Sequence, residues 1–329
     1  MSLAIPLNLV YRSRPLQYPL LAAMKHSGAW EKAGIDLRSV QYVSGAAKSD
    51  PMLVNGECDF IFGSHISPYI HRMNGQPFVY LGQTVNWIDD VMVSREPIKS
   101  LKDLEGKKLV ETEGVTAERH HGHHPGGNHL LYLRREGADP HKITFVPGTS
   151  RSLYKDVLNG VGDAAFASPP EDEEARAAGL HVLALPHLPM INAATMTTLW
   201  PILQNRRDLC EAVLKATLMG VHYIKTEPDA FWKLMQDDVA VELKIEDAKA
   251  LKHLYDYERS ILEPRLYPTA ESVANSFLLA IMEEPQIASK LNPMSLWDIN
   301  LLREIEESEF IDDLYGGKVP GPGTPPNRH

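Results

Sequence analysis

Two stretches of this chain repeat one another at nearly fixed spacing, and a duplication of that size restricts the fold to paired units. AGIDLRSVQYVSG, residues 33–45, returns as EGADPHKITFVPG, residues 136–148, with Gly34/Gly137, Asp36/Asp139, Val43/Val146 and Gly45/Gly148 at an offset of 103. NGECDFIFGS, from Asn55, returns as NGVGDAAFAS, from Asn159, at an offset of 104, so one residue separates the spacing of the two blocks. Each copy reads as a β-branched strand, a glycine turn, a short helix closed by Asn-Gly, and an apolar strand after Asp. The pattern predicts two similar α/β lobes. Ligands of open α/β sheets sit outside the carboxyl ends of the strands, so two facing lobes put their strand ends on opposite walls of one cleft. That geometry binds a small molecule by closure.

Composition narrows the function. A length of 329 residues suits two domains. The expected division is residues 1–90 and 193–315 for lobe one with a helical cap, 91–192 for lobe two, and 316–329 for an extended or disordered Pro/Gly tail. Crossing strands are expected near 89–94 and 190–199. A formal charge of −10 gives no electrostatic reason to bind nucleic acid. No apolar run approaches the ~18 residues a membrane helix needs. Cys58 and Cys210 are too few for a four-cysteine zinc site and read as inert core thiols. MSLAIPLNLVY lacks a basic n-region, a long h-region and an A-x-A site. The expectation is a cytoplasmic protein, or a periplasmic one from which an export signal has been cut, and in either case a monomer.

Local patterns place the other elements. A first strand over 5–11 is followed by a helix over 20–32. Ser67 and Pro68 read as N-cap and N1 of a short helix closed by Asn74-Gly75. A helix is expected over 126–137, and from Asn205 onward the pattern is helical, ending with 294–307.

The order of these elements, the paired NGxxDxxF units, SLKDLEGKKL at the start of lobe two and the C-terminal helical run together resemble the solute-binding proteins of ABC importers for sulfonates, taurine, nitrate and thiamine-pyrimidine precursors. The resemblance implies the two-lobed type II periplasmic-binding-protein fold. It implies capture of a small anionic ligand (a sulfonate, carboxylate or heterocyclic precursor) for delivery to an ABC permease, with no cofactor. The same fold is similar to that of two enzyme groups, the yeast-type pyrimidine synthase of thiamine biosynthesis and the hydroxybiphenyl sulfinate desulfinase. The loop cysteine cluster of the first has no counterpart here, and Arg14 stands where the second has its nucleophilic Cys. The alternative is therefore a cytosolic lyase or decarboxylase acting on an aromatic acid, with His65 and His120 as acid and base.

Carried over by position, the resemblance lines the cleft with Arg12, Arg14 and Tyr18 at the first strand's exit, and with Ser44 and Ala46 at the first repeat turn. His65 follows at the next strand end, then Gly114, Arg119, His120 and His121 at lobe two's first strand exit, and Ser168 and Glu171. Trp87 is expected to close over an aromatic ligand. Arg12, Arg14 and Arg119, with helix N-termini, favour an anion. GVTAERHHGHHPGGNH holds His120, His121, His123, His124 and His129. It reads as a solvated loop, as a ligand-contacting loop or as a metal site. Its spacing matches no H-E-x-x-H or two-Cys, two-His pattern, so no metal ligand is assigned. Asp89/Asp90 read as a turn cap.

Overall fold

The computed structural model describes residues 4–150 and 152–326. Its strands are β1 (Ile5–Tyr11), β2 (Ile35–Tyr42), β3 (Phe60–Phe62), β4 (Phe78–Ile88), β5 (Val91–Ser94), β6 (Lys108–Glu111), β7 (Thr144–Pro147), β8 (Ala164–Ala167), β9 (His181–Ala184) and β10 (Leu188–Leu199). They form two sheets, β2-β1-β3-β10-β4 and β7-β6-β8-β5-β9. In each sheet the first strand pairs in parallel with the next two, and a strand from beyond a crossing inserts antiparallel as the fourth. This is the two-lobed α/β arrangement. β4 and β10 are buried along nearly their whole length, and the polar residues they carry are bonded between the two strands: Gln83 donates to the Asn192 carbonyl and accepts from Thr195 Oγ1, and Thr84 donates to the Ala194 carbonyl.

The duplication is visible in hydrogen bonds. Asp59 Oδ2 accepts from the backbone N–H of Asn8 at 2.8 Å, and Asp163 Oδ2 accepts from that of Lys108 at 2.8 Å. Each carboxylate gives its other oxygen to an arginine, Arg206 and Arg95 respectively. The two Asn-Gly turns also match. Asn55 and Asn159 end helices Ala46–Val54 and Leu153–Leu158, and Gly56 and Gly160 follow at φ +75° and +78°, where a Cβ would be strained.

The first motif pair is out of step in the sheets. Tyr42 pairs with Tyr11, whereas Pro147, not Phe145, pairs with the equivalent Glu111. The bulge that adds Arg38 to β2 opposite Leu7/Asn8 narrows this mismatch by one residue and does not cause it. The 3-10 turn Pro140–Lys142 uses up residues before β7 begins. Gly45 and Gly148 are consequently not equivalent: Gly45 has φ +85°, while Gly148 is a close approach, since a Cβ there would lie 2.5 Å from Leu153.

The chain crosses between sheets at 89–90 and again at 185–187. The long strand expected from Met190 starts at Leu188, already paired with Ile88 in the first sheet. The first helix begins earlier than expected, at Arg14, and stops at His26 before the short Ala29–Lys32 turn. Gly28 at φ +67° makes that break. Ser67 is the first residue of helix Ser67–Met73, with Ile66 in the cap position. The helix expected over 294–307 is split: Asn292 caps the 3-10 turn Pro293–Leu296, Trp297 bridges to Tyr80 at the sheet edge, and helix resumes at Asn300–Glu307. The tail is extended but fixed as far as it is described. Gly323 donates to Glu263, and Thr324 donates to the Ser260 carbonyl.

The main core lies in lobe one, between its sheet and helices Arg14–His26 and Arg207–Thr226. A second core is shared by both lobes. Tyr69 and Tyr80 of lobe one, Met92, Leu109 and Leu130 of lobe two, and Phe277 and Leu279 of helix Ala270–Glu283 pack in one cluster. That helix braces the two crossings from outside.

Candidate functional site: the cleft between the lobes

Between the sheets lies a cavity of about 660 Å³, within the usual range for small-molecule sites. Six of the residues expected there line it: Arg12, Ser44, Ala46, His65, His121 and Ser168. Gln17, buried in the first helix, sets the geometry of the lobe-one wall. Its Oε1 accepts from the backbone N–H groups of Arg12 and Ser13, and its Nε2 donates to the Ala193 carbonyl at 2.8 Å. Gly63 at φ +97° lets that side chain pass, since a Cβ there would meet Gln17 Nε2 at 2.0 Å.

Arg12 is the cation of this wall. Its Nη1 donates to Ser64 Oγ at 3.0 Å and stands 4.0 Å from Asp50 Oδ1. Burial pushes the Asp50 carboxyl up, but the hydrogen bond from His71 and the charge of Arg12 outweigh it and hold it below the usual range. The N-terminus of helix Ala46–Val54, with Gly45 as N-cap and no side-chain cap, reaches the same wall. Its free N–H groups add partial positive charge.

The lobe-two wall is the histidine loop and the helix it starts, His124–Arg135. His121, His123, His124 and Asn128 line the cavity. The His65 ring faces that of His124 across the cleft, with centroids 4.4 Å apart. Burial, and then the charge of Arg12, depress His65 to about 3. Burial, then the neighbouring His65, hold His124 well below the ordinary value. Both imidazoles are neutral at pH 7. His121 has φ +48°, with Gly122 following at φ +70°, an unusual backbone for a side chain to adopt outside a constrained site.

The fifth histidine has a different role. His129 is buried and stacked on Phe166 at 4.1 Å, its Nδ1 bonded to Glu111 and its Nε2 3.6 Å from Asp90 Oδ2. Burial opposes its charge, but Glu111 and Asp90 outweigh that and raise it to about 9. Asp90 also accepts from Ser168 Oγ, and Asp89 meets His187 at 2.9 Å. Asp89 thus ties the first crossing to the second, and Asp90 ties it to lobe two. Each carboxylate reaches a different partner because adjacent residues point apart.

Seven expected residues lie outside the cavity lining. Arg14 is 3.6 Å from Glu242 and stacks over Tyr42 at 4.7 Å, and Tyr18 donates to Asp238 at 2.6 Å. Trp87 turns away, its indole N–H donated to the Gly323 carbonyl of the tail. Gly114 is a turn at φ +89° behind His121. Arg119 contacts Glu283, and His120 is fully buried, its N–H donated to Glu283 Oε1 at 2.9 Å and its ring against the Leu279 carbonyl. Glu171 accepts from Ser152 Oγ. A convergence of Arg14, His65 and Arg119 on one ligand is therefore not formed, nor is a His65/His120 pair. The ring that meets His65 is His124. Cys58 and Cys210 are buried, each pushed up by burial to about 12. Among the described residues, no group of three or more His, Cys, Asp or Glu is placed to hold a metal ion, and no helix is long and apolar enough to cross a membrane.

Of the loop histidines read as contacting a ligand, His121, His123 and His124 line the cleft; His71, Asn128 and Asn192 line it without having been expected there. Asn128 carried a signal in its spacing, four residues beyond His124 and so on the same helix face.

Comparison with known proteins agrees with this architecture. The chain superposes on a protein from Bordetella bronchiseptica RB50 with a TM-score of 0.69, 16% identity and coverage of 92% of this chain and 97% of that one. On the periplasmic aliphatic sulphonate binding protein SsuA of Escherichia coli the values are 0.68, 18%, 91% and 99%. On the desulfurization enzyme DSZB they are 0.64, 16%, 92% and 99%. At these identities the likeness establishes the fold, the two-lobed type II periplasmic-binding-protein fold. No match was found among curated proteins. Residues 17–231, which carry both copies of the duplicated motifs and most of the cleft lining, match the NMT1/THI5 like family, and the chain belongs to that family.

Proposed function

We propose that this protein captures a small anionic molecule between its lobes as the solute-binding component of an ABC-type importer, held outside the cytoplasm. The observation that carries the reading is Arg12, a guanidinium at the cavity wall beside an uncapped helix N-terminus. The opposite wall offers neutral imidazoles, and the carboxylates that reach the cavity, Asp89 and Asp90, are engaged by His187 and by His129 and Ser168 respectively. A guanidinium with free N–H groups takes a sulfonate, carboxylate or phosphonate through two parallel hydrogen bonds. The Escherichia coli neighbour is a sulphonate binder, which makes sulfonates the first class to test.

The enzymatic alternative has less support. Its acid/base pair is not assembled, since His120 is committed to Glu283 and Leu279. The thiols are buried and protonated, so nothing stands in for a nucleophilic cysteine. Calorimetric titration with small sulfonates, carboxylates, phosphonates and nitrate tests the proposal. Saturable binding at micromolar level by at least one class, with the anion unchanged after incubation, is the expected result. Turnover of an aromatic acid by the purified chain would overturn it.

A further inference from the structure

Two polar atoms on one face of helix His124–Arg135 have no partner. His124 Nε2 and Asn128 Oδ1 are buried and make no hydrogen bond with any described residue. Asn128 is 2% exposed, and both residues line the cavity. At a spacing of four they lie one above the other on the helix. Elsewhere the wall leaves little open: Arg12 has Ser64 and Asp50, His65 has the Ala193 carbonyl, and Ser168 has Asp90.

Buried polar groups without partners are uncommon, and leaving one unpaired costs about 1 to 3 kcal/mol. Neither atom is open to water in this arrangement, so a small polar group admitted as the lobes move is what can pair it. A ligand that supplies such a group gains those hydrogen bonds, and one that does not leaves both atoms unpaired. Arg12 answers the anionic end of the ligand on the lobe-one wall, whereas the imidazole and carboxamide of lobe two are uncharged acceptors and donors.

We infer that His124 and Asn128 form a second, neutral subsite that selects anions carrying a hydroxyl group remote from the charge. A hydroxyl both donates and accepts, so it meets the amide oxygen and either tautomer of the imidazole. Plain alkyl or aryl anions leave both atoms dry and unpaired. The inference rests on the anion-binding reading, and it adds a discrimination within that class. Closure strengthens it, because the two subsites lie on opposite lobes and one hydroxylated anion would tie them together.

Matched probes test it in the intact chain: ethanesulfonate against 2-hydroxyethanesulfonate, benzenesulfonate against its 3- and 4-hydroxy derivatives, and benzoate against its 3- and 4-hydroxy derivatives. In at least one series the hydroxylated probe is expected to bind about tenfold tighter. Asn128→Leu is expected to abolish that advantage, read as the ratio of affinities within each matched pair. Equal affinity within every pair for the wild type, or an advantage that survives in a folded Asn128→Leu protein, overturns the subsite and leaves anion binding standing. If no probe in any series binds, anion binding and the subsite fall together. The wild-type comparison stands without the variant, so a misfolded Asn128→Leu does not rescue the idea.

Discussion

At the scale of single residues, charge placement separates two neighbouring arginines. Arg12 points its guanidinium at the cavity, while Arg14 is spent on Glu242 and the face of Tyr42. For any anion that binds, Arg12→Ala should weaken affinity by roughly 1.5 to 3 kcal/mol, the worth of a hydrogen bond to a charged group. Arg14→Ala should leave it unchanged. Calorimetry with the same anion decides, and equal losses in the two variants would move the anion site toward the helix start. The histidines give a pH signature with opposite limbs. His65, depressed to about 3 from an ordinary value near 6.5, is neutral when folded, so the unfolded chain binds more protons in acid. Its contribution is present above about 6.5 and is lost as pH falls toward 3, and His124, His120 and His123 shift the same way. His129, raised to about 9, contributes fully below about 6.5 and loses that contribution as pH rises through 9. Urea midpoints should therefore fall on both sides of a maximum near pH 6.5. In His129→Phe the alkaline fall should shrink while the acid fall remains, and an unchanged alkaline limb would deny His129 its charge.

At the scale of elements, the C-terminal segment shows how a stretch without regular structure is fixed. Gly323 sits where a Cβ would lie 2.0 Å from the Ile261 carbonyl oxygen, and its own carbonyl takes the Trp87 indole N–H at 3.1 Å. Gly323→Ala should lift the segment off lobe one and expose Trp87, read as a red shift of tryptophan emission and faster proteolysis after Leu314. Unchanged fluorescence would mean that the segment tolerates a displacement of its backbone. The same segment shows what a sequence can disclose. The Asn-Gly turns and the paired Asp59 and Asp163 were legible because their partners are close in sequence or repeat in step. The Pro/Gly tail looked unstructured because its partners, Trp87 and Glu263, lie far back in the chain. The β2 and β7 registers differ for a related reason: a 3-10 turn ahead of β7 leaves the residue types unchanged while shifting what pairs with what. In the site, Arg12 and the histidine density were readable. The removal of Arg119 and His120 from the cleft was not, since Glu283, which holds both, is more than 160 residues away.

At the scale of the whole molecule, the shared core constrains how the lobes move. Two domains joined by crossings at 89–90 and 185–187 would by themselves unfold separately and hinge freely. Here helix Ala270–Glu283 packs Leu279 and Phe277 against lobe-two residues Leu130 and Leu109 and against Tyr69 of lobe one. Glu283 at its end receives the buried N–H of His120 at 2.9 Å. A cluster that neither lobe owns couples their stabilities, so the protein should unfold in one cooperative transition with calorimetric and van't Hoff enthalpies in agreement. Leu279 is fully buried in that cluster, and Leu279→Ala should cost about 2 to 5 kcal/mol through lost burial and the cavity left behind. Because the damage falls on the coupling, the variant should also split the transition, with lobe two melting first: its sheet is built of four-residue strands and its own separate core is small. Two resolved transitions already in the wild type would show that the brace does not couple the lobes. A single, merely shifted transition in Leu279→Ala would show that the crossings, and not this helix, hold them together.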